Sequence, residues 1–186
     1  MIVAQQKKKE NVIEYIIYMW NVEDLLRSLN LEINSVDSRI IKEYQVEEDQ
    51  KTEIRNWYVN LIQEMKTYGL LQKGHLPEIN EIIAELAMLH DSLLHLYQDP
   101  RYIDLERHAS DNLNELIKKS GTKNISPIEA GLNGLYGILL LRMKKKMISK
   151  ETQDGISTIS DMFAYLAVKF KDMKNGTLTF PKERKN

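Results

Sequence analysis

Glu14, Asn21, Glu23 and Asp24 stand among Tyr15, Tyr18 and Trp20 in one apolar stretch near the N-terminus, Asn11 to Leu29. Carboxylates in such a segment face solvent, meet partners or form a site, because burying an uncompensated charge is costly. Trp20, Glu23 and Asp24 recur at helical spacing, and a pocket lined by them would offer an acid as a base or as a cation ligand. His75, in a glycine-flanked loop just before a helix start, and Tyr136 and Arg142 from a later apolar segment would complete it, with backbone amides near His75 able to hold an anion. The ordinary alternative divides these residues by face. Asn11, Glu14, Tyr18 and Asn21 then form a solvent stripe, Asp24 pairs with Arg27, Arg55 or Arg142, and His75 satisfies backbone groups where the next helix begins.

Other candidate chemistry is thinner. His90 and His95 are separated by roughly 140° on a helix and do not share a face. The E-x-x-H and H-E-x-x-H spacings of carboxylate-bridged metal bundles and zinc proteases are absent from the sequence, so no metal site is expected. Asp91 with His95, and Asp104 with His108, are spaced as ordinary surface pairs. Gly131, Gly134 and Gly137 lie in a helical pattern without the strand and lysine of a phosphate loop, so they are read as a smooth packing face. No cofactor is implied, and the missing catalytic spacing leans away from an enzyme.

The elements that must position these residues are all helical. Four prolines and eight glycines fall mostly between periodic segments, which parse into about seven helices and no convincing strand. The first helix is expected from about Gln6 to Ser28, apolar around most of its circumference and therefore central. A second starts after Ser35, a third spans roughly Asp49 to Tyr68, and a fourth runs from Pro77 to about Gln98, where Asp99-Pro100 ends it. The fifth, Arg101 to Lys119, is more polar and reads as peripheral. Ser126-Pro127-Ile128-Glu129 combines a serine cap, proline at the first helical position and glutamate at the third, the clearest helix start in the chain. The last helix, capped by Ser149, runs to about Met173 and stops at Asn175-Gly176. Residues 1–175 are thus expected to form a single-domain all-α bundle, and 176–186 an extended or flexible tail.

The sequence has 186 residues, 42% of them hydrophobic, which suits one globular domain burying roughly 70% of its unfolded surface. With no cysteine, disulfides and thiolate chemistry are excluded, and a reducing compartment is expected. MIVAQQKKKE lacks the order of a secretory signal, and Leu135 to Leu141 is too short to span a membrane, so a soluble cytoplasmic protein is expected. A net charge of −1, from 26 basic and 27 acidic residues, attracts no polyanion globally. The runs Lys7 to Lys9, Lys144 to Lys146 and Lys182-Glu183-Arg184-Lys185 read as solvated ends, leaving weak nucleic-acid binding as a minor alternative.

Three stretches, AQQKKKENVIEYIIYMWNVEDLLR at Ala4 to Arg27, KGHL at Lys73 to Leu76 and LYGILLLRMKKKMIS at Leu135 to Ser149, carry a likeness over most of the chain. On them the sequence resembles an uncharacterised bacterial family of small all-helical proteins known only as a domain of unknown function. The resemblance implies a compact helical protein of the bacterial cytosol and brings no reaction, ligand or catalytic residue. The functional expectation is a protein-interaction or self-association module, a homodimer being its simplest form. The rival is a small-molecule pocket built from Trp20, Glu23, Asp24, His75, Tyr136 and Arg142.

Overall fold

The computed structural model describes residues 2–179, which contain eight α-helices and no strand. They are α1 (Ile2–Glu10), α2 (Val12–Ser28), α3 (Ile33–Arg39), α4 (Glu48–Thr67), α5 (Pro77–Asp91), α6 (Pro100–Ser120), α7 (Pro127–Met143) and α8 (Lys150–Lys174). The all-α expectation stands, but eight helices replace about seven because the first predicted helix is two. Asn11 leaves helical geometry at φ −150° and ψ 105°, and its Oδ1 accepts the amides of Ile13 and Glu14 at 3.0 and 3.3 Å. Asparagine competes for backbone amides inside a helix and caps one well, so α2 starts anew there.

α2 is the central helix. Val12, Ile13, Ile16, Met19, Val22 and Leu26 are buried along it, and it packs against α1, α7 and α8. Each fully buried side chain of this size contributes about 1.5–3 kcal/mol from apolar surface removed from water. α6 is less peripheral than its polarity suggests: one face buries Tyr102, Ala109 and Leu113 and runs along α8, while the other stays in solvent. A methyl group at Gly155 of α8 would lie 2.7 Å from Asn112 Oδ1, so a side-chain-free position sets how closely α6 and α8 meet.

Element ends follow local chemistry with two departures. α3 begins at Ile33 with no side-chain cap, leaving Ser35 inside the helix rather than at its start. The helix begun at Pro77 changes register after Asp91 into a π-helical turn, Ser92–Leu96, closed by the Tyr97 amide on the Ser92 carbonyl at 2.8 Å. That wider turn keeps Leu93 buried while His95 and Leu96 face solvent. Ser126 and Ser149 cap α7 and α8 as their sequences predict. No described helix is long and apolar enough to cross a membrane. Residues 177–179 have no regular structure, and the rest of the expected tail, with the run Lys182-Glu183-Arg184-Lys185, lies outside the described residues.

Candidate functional site

Trp20, Glu23, Asp24 and Arg27 recur at three- and four-residue steps on α2, so they meet the same neighbours. These are the irregular chain between α4 and α5 and the middle of α7. Glu23 has no exposed surface. Its Oε1 accepts the Leu76 amide at 3.0 Å, its Oε2 lies 2.6 Å from His75 Nδ1, and the Arg27 guanidinium is 4.0 Å away. Leu76 is the N-cap residue of α5, which has no side-chain cap of its own. The carboxylate of Glu23 therefore occupies the place where an anion would favour the start of α5.

The His75 ring stacks on Trp20, with centroids 4.5 Å apart and planes 19° from parallel, and Tyr136 meets Trp20 edge-on at 5.6 Å. Tyr136 donates its hydroxyl to Asp24 Oδ2 at 2.6 Å, while Asp24 Oδ1 accepts from Arg27 Nη1 at 2.8 Å. Burial, and then the Asp24 hydrogen bond, push the Tyr136 phenol above its ordinary value, so it remains a donor at neutral pH. Arg27 also donates Nε to the Leu70 carbonyl at 3.1 Å and Nη2 to the Gly74 carbonyl. Gly74 holds φ at 88°, a conformation that a side chain resists, and so can turn that carbonyl toward Arg27. The cluster clamps the irregular segment onto α2 through one guanidinium and one buried carboxylate.

Chemically, the arrangement offers an oriented imidazole. Nδ1 of His75 faces the Glu23 carboxylate, which leaves Nε2 as the other ring nitrogen of a side chain 31% exposed. The indole Nε1 of Trp20 is buried without a hydrogen-bond partner among the described residues. Five of the six predicted residues, Trp20, Glu23, Asp24, His75 and Tyr136, therefore converge. Arg142 does not: six residues beyond Tyr136 it has rotated roughly 120° around the helix, and it is exposed outside the cluster. Arg27 takes the place proposed for it, and Arg55 pairs with Asp37 at 3.1 Å. Of the predicted solvent stripe, Glu14 is exposed and paired with Lys7 at 2.8 Å, Asn11 caps α2, and Tyr18 and Asn21 are half-buried. Burial pushes the Tyr18 phenol up to about 12.

A second polar network was not foreseen. Asp99, read only as a helix terminator, is the buried N-cap of α6, its Oδ1 accepting the amides of Arg101 and Tyr102 at 3.1 Å. Its Oδ2 accepts from the Tyr165 hydroxyl at 2.9 Å and lies 3.4 Å from Lys169 Nζ. Burial alone would raise the Asp99 carboxyl, but the Tyr102 amide, Tyr165 and Lys169 together hold it below its ordinary value. His90 is also buried, with Nδ1 2.7 Å from the Tyr102 hydroxyl, and burial lowers its pKa. Asp followed by Pro is a helix-start signature, so the cap was readable; the approach of Tyr165 and Lys169 from α8 was not.

The third feature is the end of α7. Ile128, Ala130, Gly131, Leu132 and Ile138 are buried, but Leu139 and Leu140 are only half-buried, Leu141 is 40% exposed, Met143 59%, and Met147 in the following turn 99%. A groove of about 340 Å³ reaches Leu141, lined also by Leu116 of α6, Gly134, Gly137 and Ile138 of α7, and Ile156 of α8. Two of the three glycines are packing positions: a methyl at Gly131 would lie 2.6 Å from Phe163 Cζ, and one at Gly134 2.6 Å from Leu116 Cδ1. Gly137 departs from that expectation, since a methyl there would meet nothing within 4 Å.

No curated protein and no solved structure is detectably similar to the chain. The match that is found is to the family described as Domain of unknown function (DUF4924), over residues 1–177, and the chain belongs to that family.

Proposed function

We propose that the protein is a non-catalytic interaction module that works through the exposed end of α7, in the cytosolic setting that its family resemblance implies. One observation carries this reading: the last turns of α7, Leu139 to Met143, are mostly apolar, yet they and the following Met147 are half-buried or exposed, with Leu141 on the wall of an apolar groove. Contiguous exposed apolar surface marks interaction sites, because water is released when a partner covers it. The polar cluster around Glu23 accords with the same reading, since its members mainly satisfy one another and the chain between α4 and α5. A photo-reactive amino acid placed at Met143 tests the proposal in cells. Covalent adducts of defined mass that disappear when Leu141→Glu is added are expected; only uncoupled monomer would overturn it.

A second reading, a small polar ligand at His75, is favoured by the buried, unpartnered indole Nε1 of Trp20 beside an imidazole oriented by Glu23. A ligand that binds only the folded state raises its melting temperature. Thermal shift against metabolites and metals, beside Glu23→Gln and Asp24→Asn, tests it. A dose-dependent rise lost in a variant is the expected result, and a flat response to every compound removes the reading.

A further inference from the structure

We infer that the partner covering the end of α7 is a second copy of the same chain, its α7 lying antiparallel to the first and crossing it between Gly137 and Leu140. The inference rests on the interaction reading above and adds the occupant and its orientation.

The exposed row of α7 is asymmetric in charge along its length. Glu129 and Asn133 are exposed in its first half, Gly137 is open at its middle, and half-buried Leu140 and exposed Leu141 follow. Beyond them come Arg142, Lys144, Lys145 and Lys146, all exposed. Neither Glu129 nor any of these four cations is in an ion pair among the described residues. At 1.5 Å per residue, Glu129 lies roughly 12 Å before Gly137, and Lys144 roughly 10 Å after it. An antiparallel copy reverses that order. It brings the lysines of each chain toward Glu129 of the other and opposes the two helix dipoles favourably. A parallel copy would instead set lysine runs side by side.

Shape agrees with charge. A helix bearing an open glycine at the crossing lets a second helix come close, near the short end of the 8–10 Å range for packed axes. Each copy presents Leu140 and Leu141 within about 60° of Gly137 around α7, beside the groove with Leu116 and Ile156 on its wall, while Met143 is turned about 120° away. Reversal about a two-fold sets Leu140 and Leu141 of one chain against the Gly137 face of the other, twice. Such a contact closes on itself and needs no third copy.

Charge reversal with complementation tests this, read by sedimentation over a dilution series of the full chain. The unaltered protein is expected to dimerise. Glu129→Lys alone and the double variant Lys144→Glu/Lys145→Glu alone each should weaken the dimer roughly tenfold, as repelling pairs replace attracting ones. An equal mixture of the two should regain the original affinity, because the lysine introduced in one chain then faces the two glutamates introduced in the other. Circular dichroism of each variant guards against unfolding. A protein that stays monomeric, or a dimer that neither variant weakens, or one that mixing fails to rescue, overturns the antiparallel second copy. If the dimer is lost only with Leu141→Glu, or if cross-links from Met143 lead to another protein while the chain sediments as a monomer, the interaction face stands and this occupant or geometry falls. If Met143 forms no adduct at all, the face itself falls.

Discussion

His75 Nδ1 and Glu23 Oε2 are 2.6 Å apart, joining a half-exposed loop ring to a carboxylate that has no exposed surface on the central helix. The same carboxylate receives the Leu76 amide through its other oxygen. Removing it leaves a buried amide and the Arg27 guanidinium short of a partner, so Glu23→Ala should cost about 3 kcal/mol. Glu23→Gln, which keeps an acceptor for Leu76, should cost clearly less. Urea denaturation of both variants measures the difference, and a Glu23→Ala variant within about 1 kcal/mol of the original would show that the clamp is not what holds this region.

Arg27 reaches the Leu70 and Gly74 carbonyls and Asp24 with one planar group. Lysine keeps the charge but cannot address three acceptors in a fork. Arg27→Lys is therefore expected to speed amide hydrogen exchange across residues 69–76 while α4 and α8 exchange at their original rates. Uniformly faster exchange throughout the chain would mean that Arg27 supports the whole core rather than this segment.

Stability should fall in mild acid because of His90. Its ordinary value of 6.5 is lowered in the folded chain, chiefly by burial, with Asp91 opposing the shift and His95 adding to it. The unfolded chain thus binds a proton that the folded one refuses. The contribution is complete above about pH 6.5 and is lost as pH falls through that value toward the lowered one. Between about pH 7.5 and about pH 5.5, His90→Gln, which retains a partner for Tyr102, should lose less stability than the original chain. Equal losses would assign the acid sensitivity elsewhere.

Gly131 and Gly137 should respond oppositely to the same substitution. Gly131→Ala drives a methyl into the buried ring of Phe163, and the strain should outweigh the helix gain, for a net loss of about 1–2 kcal/mol. Gly137→Ala meets no neighbour and should gain up to about 1 kcal/mol. Thermal unfolding of dilute protein, where self-association is weak, reads both. A loss at Gly137 would mean that something covers that position even in the lone chain.

Local chemistry was legible wherever one residue type has one structural use. Asn11 is the instructive exception: it follows the polar run QQKKKE inside the expected first helix, Gln6 to Ser28, although its affinity for backbone amides makes it a cap. At the candidate site, spacing alone places Glu23 and Asp24 next to Trp20 on α2, with Glu14 on another side, and His75 and Tyr136 are their expected neighbours. Arg142 was misplaced because a rotation of roughly 120° from Tyr136 carries it to another side of the helix. The approach of Tyr165 and Lys169 to Asp99 is not legible in the sequence, because that pair, four apart on α8, meets a cap residue at least 66 positions away at the start of α6.

Apolar periodicity, the serine caps Ser126 and Ser149, proline at first helical positions and glycine stops determined by themselves that this chain would be helical and where most helices begin and end, since those signals act within a few residues. Which helix faces which was decided only by the tertiary structure. Burial of a stripe is satisfied by any apolar neighbour, whereas a hydrogen bond such as that between Tyr136 and Asp24, 112 positions apart, requires one particular arrangement. The same holds for the end of α7. Its glycines predict one packing face, and only the placement of the other helices left Leu141, Met143 and Met147 uncovered.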